Sequence, residues 1–272
     1  MFWTGGPLGV EAPPEQIVAS VKSLGVTCGQ LGLDGKADLS SANAARWKKA
    51  LADAGITVVT CFPGFEGESY ASIPICAGTV GFVPKQPRAE REKRAFEASD
   101  FARELGVPGL ASHVGCLPHD RSDPEYIAVR DLVRRLCDHC AAHGQTFALE
   151  TGQEPAQNLL NFLADVDREN LKINFDPANL ILYGEGDPIE ALEMVKDHLV
   201  TVHAKDGSWP KVKGEWGAET PLGKGDVGME RFVDKLKEVG YTGPLTIERE
   251  ILGDEQRKDI LEAIALLERL RA

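Results

Sequence analysis

The chain has 272 residues, enough for one large domain with a sizeable core or for two small ones. A hydrophobic content of 43% with 26% charged residues is that of a soluble globular protein. The net charge of -12, with no visible basic stripe, argues against a nucleic-acid partner.

In chain order, the first strand candidate is the short run 2–3. SVKSLG then reads as a helix end closed by Gly25, followed by an apolar strand over 26–31. KKALADAG closes at Gly55 before a strand over 56–62, and a long loop occupies 63–86. AEREKRAFE reads as a solvated helix face. DFARELG ends that helix at Gly106, before a strand over 107–113. Asp123-Pro124 opens a helix that CDHCAAHG closes at Gly144, and a strand follows over 145–150. The run 171–175 is the next strand. Asp187-Pro188-Ile189-Glu190 supplies an N-cap, a proline at N1 and an acid at N3. A strand over 199–203 precedes a second long loop, 207–227, with three glycines after Trp216. KLKEVG closes at Gly240 before the last strand, 244–248.

These strands are short apolar runs rather than strict alternations, which suits a parallel sheet covered on both faces. Eight of them with helices between, in a chain of this length, predict an α/β fold: a single-domain (β/α)8 TIM barrel over residues 1–272. A doubly wound sheet is the runner-up. It normally carries a glycine-rich phosphate loop after a strand, and none stands here.

The last residues of four consecutive strands carry the chemistry. TFALE ends in Glu150, KINFD in Asp176, LVTVH in His203 and PLTIE in Glu248. In a barrel these ends converge on one face, where active sites sit. Three carboxylates and an imidazole held together there repel one another unless a cation joins them. The set predicts one divalent metal ion. Mn2+, Mg2+ or Co2+ suit three oxygens and a nitrogen best, ahead of Zn2+ or Fe2+. Asp176 therefore reads as a ligand rather than a turn residue, with Pro177 ending its strand. Lys205 is placed to contact a substrate oxygen, Asp206 to orient His203, and the Asn179 amide to bond a substrate hydroxyl. Trp3, Trp209 and Trp216 are expected pocket walls.

From Ala148 to Glu250 the segments ALETG, NFDPANL, VHAKD, PLGKGDV and GPLTIERE resemble the xylose isomerase-like TIM barrels. That family contains sugar isomerases, ketose 3-epimerases, keto-inositol dehydratases and endonuclease IV. The resemblance implies a metal-dependent sugar isomerase or epimerase working through an enediolate on a keto-sugar or keto-polyol. Glu150 and Glu248 would move the protons as well as hold the metal, and His113 would contact substrate. A lyase or dehydratase on a 3-keto-glycoside or keto-inositol is the alternative at the same site. Endonuclease IV is a remote one, because Asn179 and Gly228 stand where its cluster needs histidines. A non-catalytic binding barrel is disfavoured by the intact ligand set. The ketose 3-epimerases place a histidine after the Asp and an arginine after the metal His. Asn179 and Gly207-Ser208-Trp209 depart from both, so that substrate-holding pair does not carry over.

Of six cysteines, Cys137 and Cys140 fall on the core face of their helix and read as buried thiols, despite His139 and His143 beside them. Scattered cysteines, no signal-like N-terminus and no long apolar span imply a cytoplasmic location with no membrane partner. The expected partner is a small carbohydrate. A homo-oligomer is left open.

Overall fold

A computed structural model of the chain describes residues 2–4, as backbone, and residues 12–272. Eight parallel strands form one sheet: β1 (Phe2–Thr4), β2 (Cys28–Leu33), β3 (Thr57–Pro63), β4 (Gly109–Ser112), β5 (Thr146–Glu150), β6 (Leu171–Phe175), β7 (Leu199–Ala204) and β10 (Leu245–Ile247). Each pairs with the next in chain order, and β10 pairs with β7. Helices cover the outside: α1 (Pro14–Lys22), α2 (Ser41–Ala54), α4 (Arg88–Leu105), α5 (Pro124–Ala142), α6 (Ala156–Val166), α8 (Pro188–Val195), α9 (Met229–Glu238) and α10 (Asp254–Arg271). This is the expected TIM barrel, with strand ends moved by a residue or two. The β1 backbone matches the 2–3 run, while the Trp3 side chain lies outside the described residues.

Local chemistry explains the joints. Gly25, Gly55, Gly106, Gly144 and Gly240 all stand at φ between 68° and 81°, which glycine adopts without a Cβ clash. Asp187 Oδ1 caps α8 by accepting from the N–H groups of Ile189 and Glu190, and Asp123 Oδ1 caps α5 through Glu125 N–H. The apolar core lies between sheet and helices, with Leu110, Leu132, Phe147, Phe162 and Phe175 fully buried. Inside the barrel the side chains are largely polar: Gln30, Thr60, Asn174, Thr201 and Thr246 are all buried.

Three elements differ from expectation. The loop over 63–86 contains a short helix, α3 (Ile73–Thr79), and the loop over 207–227 joins an antiparallel hairpin of β8 (Asp206–Ser208) and β9 (Ala218–Thr220). Pro177 does not merely end a strand; it opens α7 (Pro177–Tyr183), with Asp176 as N-cap. The AEREKRAFE run is not simply solvated. Arg91 is buried and donates to the carbonyls of Gly81 and Glu66, while Arg94 donates to those of Asp34 and Ala37. Guanidinium groups with several donors suit this work of fastening loop backbone to a helix.

Candidate active site

The strand ends bring Glu150, Asp176, His203 and Glu248 together. One donor atom from each lies within 4.8 Å of the other three. His203 Nδ1 stands 3.1 Å from Glu150 Oε1, 3.5 Å from Asp176 Oδ2 and 2.9 Å from Glu248 Oε2. Asp176 has a divided role. Its Oδ1 accepts the Ala178 and Asn179 N–H groups that begin α7, while Oδ2 is buried in the cluster without a hydrogen bond. Glu248 Oε2 is likewise buried and outside hydrogen-bond geometry. Buried carboxylate oxygens left unsatisfied are costly unless a cation takes them. The donor set therefore fits a divalent ion. Burial works against charge on His203, but the carboxylates of Glu248 and Glu150 outweigh it and hold the imidazole well above its ordinary value. Without an ion, a proton on His203 occupies the centre of the cluster.

A polar network the sequence reading missed holds the other side of His203. Nε2 lies 3.0 Å from Gln30 Oε1 and 3.1 Å from Asn174 Nδ2. Gln30 Nε2 donates to Asn174 Oδ1, which also accepts from the Thr201 hydroxyl. Both amides sit at irregularities in strand register, between Gly29 and Gln30 and between Ile173 and Asn174. Bulges of this kind re-aim side chains near active sites. No sequence motif marks them.

A cavity of about 540 Å3 opens above the cluster. Glu150, Glu248, His113, Asn179 and Lys205 line it; Asp176 and His203 do not. His113 Nε2 is 3.2 Å from Glu150 Oε2, and its Nδ1 faces the Gln153 amide nitrogen at 3.1 Å. With the amide so oriented, Nδ1 accepts and Nε2–H donates to Glu150. Asn179 Nδ2 also donates to Glu150 Oε1. Lys205 is buried, with Nζ 3.5 Å from Glu248 Oε2, 3.1 Å from Glu250 Oε1 and 3.3 Å from Asn179 Oδ1. Burial also opposes charge on Glu248, but Lys205 and His203 outweigh it and hold the carboxyl below its ordinary value.

Two expectations fail here. Trp209 is 42% exposed and absent from the cavity lining; Trp216 forms wall instead, with Phe62, Tyr70 and Tyr183. Asp206 does not orient His203. Its Oδ1 accepts the N–H groups of Gly207 and Val227, and its Oδ2 those of Gly223 and Gly225. It folds the loop that carries Trp216 to the cavity. The close glycines are the signal that could have revealed this: a Cβ on Gly225 would lie 2.3 Å from Asp206 Oδ1. Glu68, from the other long loop, lines the cavity and accepts from Phe65 and Gly81 N–H.

The family model described as "Xylose isomerase-like TIM barrel" matches residues 18–270. A xylose isomerase domain protein from Planctomyces limnophilus is similar in structure, at 44% identity and TM-score 0.88, over 93% of this chain and 91% of that one. The 3-keto-D-glucoside 4-epimerase YcjR of E. coli shares the fold at 18% identity and TM-score 0.70, with 94% of each chain covered. Among curated proteins, uncharacterized protein MJ1311 of Methanocaldococcus jannaschii is 30% identical over 108 residues, 39% of this chain and only 35% of that protein. The chain belongs to the xylose isomerase-like TIM barrel family.

Proposed function

We propose that this protein is a divalent-metal-dependent sugar epimerase or isomerase that transfers a proton next to a carbonyl, through an enediolate, on a keto-sugar or keto-polyol. The observation that carries the reading is the division of the cluster: Glu150 and Glu248 reach the cavity, while Asp176 and His203 stay beneath it. Glu150, Asp176, His203 and Glu248 would hold the ion. When bound, it supplies positive charge that favours the enediolate over the ketone.

The chain's own residues do the rest. Epimerisation needs two groups able to reach opposite faces of one carbon, and Glu150 and Glu248 come from separate segments, the end of β5 and the backbone just after β10. One carboxylate removes the proton and the other returns one. His113 and Asn179 donate to Glu150 and fix its orientation. Lys205 presents an ammonium to a substrate oxygen, and Phe62, Tyr70 and Trp216 offer faces to the carbon skeleton. The E. coli neighbour is a 3-keto-D-glucoside 4-epimerase, which makes 3-keto-glycosides the first substrates to try.

Proton NMR in D2O, with Mn2+- or Mg2+-loaded protein and a panel of 3-keto-glycosides and ketoses, tests the reading. Deuterium uptake with interconversion of epimers or isomers is expected, and Glu150→Gln and Glu248→Gln should each lower the rate about 100-fold or more. Release of water or alcohol would assign a lyase instead. Full activity in Glu150→Gln would sink the mechanism.

A further inference from the structure

A second group of metal-ligating side chains lies outside the barrel. Asp100 comes from α4, His139 from α5, and His143 is the C-cap of α5. The two histidines are four residues apart and so share one helix face. His139 Nε2 lies 3.3 Å from Asp100 Oδ1, and His143 Nε2 lies 3.5 Å from the same oxygen. Two donors each about 2.1 Å from a tetrahedral ion stand roughly 3.4 Å apart, so these spacings match a shared zinc-like centre.

Two further observations point to a ligand. His139 Nε2 is buried and makes no hydrogen bond, although Asp100 is near. The tautomer of His143 is set from behind: the Ser99 hydroxyl donates to Gln145 Oε1, leaving its oxygen to accept from His143 Nδ1 at 3.4 Å. Nε2 of His143 then presents a lone pair toward Asp100, the arrangement that prepares histidine ligands. The rings are held in place. Phe96 packs 4.8 Å from His139, and the two imidazoles meet edge to face at 4.7 Å. Cys137 and Cys140 are not among the proposed ligands: both are buried, Cys140 Sγ donates to Ser99 Oγ at 3.6 Å, and burial pushes the Cys140 thiol up to about 11.

We propose that Asp100, His139 and His143 form a second metal site, for a nitrogen-preferring ion of the Zn2+, Cu2+ or Ni2+ class, that clamps α4 to α5. The histidines stand at the C-terminal end of α5 and Asp100 in the C-terminal half of α4, toward the end of the barrel opposite Glu150. That end of the fold governs stability rather than catalysis. Two nitrogens and one oxygen favour this class, whereas the barrel cluster, with three oxygens, favours harder ions.

The test is Zn2+ binding to metal-stripped full-length protein, measured as equivalents kept through gel filtration, together with thermal unfolding and Cu2+ EPR. Wild type should keep two equivalents per chain, and added Zn2+ should raise the melting temperature of Mn2+-loaded protein. His139→Ala and His143→Ala should each keep one equivalent, lose the Zn2+-dependent rise, and bind the second ion at least about tenfold more weakly. Cu2+ at the outer site should show coupling to two nitrogens. Asp100→Asn, which preserves shape, guards against misfolding of the histidine variants and should also weaken the second ion. Equal retention and equal melting shifts in wild type and all three variants would mean an adventitious ion only and overturn the proposal.

Discussion

Gln30 Oε1 lies 3.0 Å from His203 Nε2, joining the second strand of the barrel to the seventh across its interior. This contact gives Nε2 an acceptor for its proton, so Nδ1 can present a lone pair to the cluster. Removing such a partner typically weakens a metal site 10–100-fold. Gln30→Ala should therefore lower Mn2+ affinity by about that factor while the fold is kept. Isothermal titration against a competing chelator, with circular dichroism as control, measures both.

Among the described residues, Lys205 is the only lysine or arginine in the cavity lining, and it stands beside the cluster carboxylates. Burial opposes its charge, but Glu248, Glu250, Asp176 and Glu150 hold the ammonium well above its ordinary value. Lys205→Met leaves those carboxylates without it. The metal-free protein should lose about 3–5 kcal/mol. Added Mn2+ should shrink the loss, because a divalent ion neutralises the same carboxylates. Urea unfolding with and without metal checks the difference.

Asp206 gathers four backbone N–H groups, two on each oxygen. An asparagine can accept on one side only. Asp206→Asn should strand two buried donors and cost about 2–4 kcal/mol. Limited proteolysis should then cut within 209–227 at lower protease levels, and Trp216 fluorescence should shift as the cavity wall loosens.

Glu154 gives a pH prediction. Burial pushes its carboxyl up from the ordinary value to about 7, against the pull of the Leu117 N–H. A carboxyl raised on folding adds stability that is fully present below about pH 4.5 and is lost as pH rises through about 7. Glu154→Gln keeps an acceptor for Leu117 and carries no charge. The variant should match wild type near pH 4.5 and exceed it by up to about 3 kcal/mol at pH 8. Melting curves across that range test the sign.

The convergence of the four proposed ligands could be read from sequence because each is the last residue of a short apolar run, and a parallel barrel sends all such ends to one face. Their spacings of 26 (150 to 176), 27 (176 to 203) and 45 (203 to 248) carried the same message. Gln30 and Asn174 could not be read this way. Their inward aim depends on register shifts between strands, which no local pattern records. Asp206 was misjudged because proximity to His203 in sequence suggested a partner, while its true contacts lie up to 21 residues away in a glycine-rich loop. Trp209 failed for a related reason: the β8–β9 hairpin, not the strand before it, decides which tryptophan faces the cavity.

The split duty of Asp176 has a consequence for ion size. Two backbone amides hold one of its oxygens at the start of α7, which leaves Oδ2 as the single oxygen facing the cluster. Calcium fills its six to eight positions partly through two-oxygen carboxylates at long range, whereas magnesium and manganese accept single oxygens in a tighter shell. In the proposed metal site a helix terminus would thus act as a gauge, favouring an ion that takes single carboxylate oxygens.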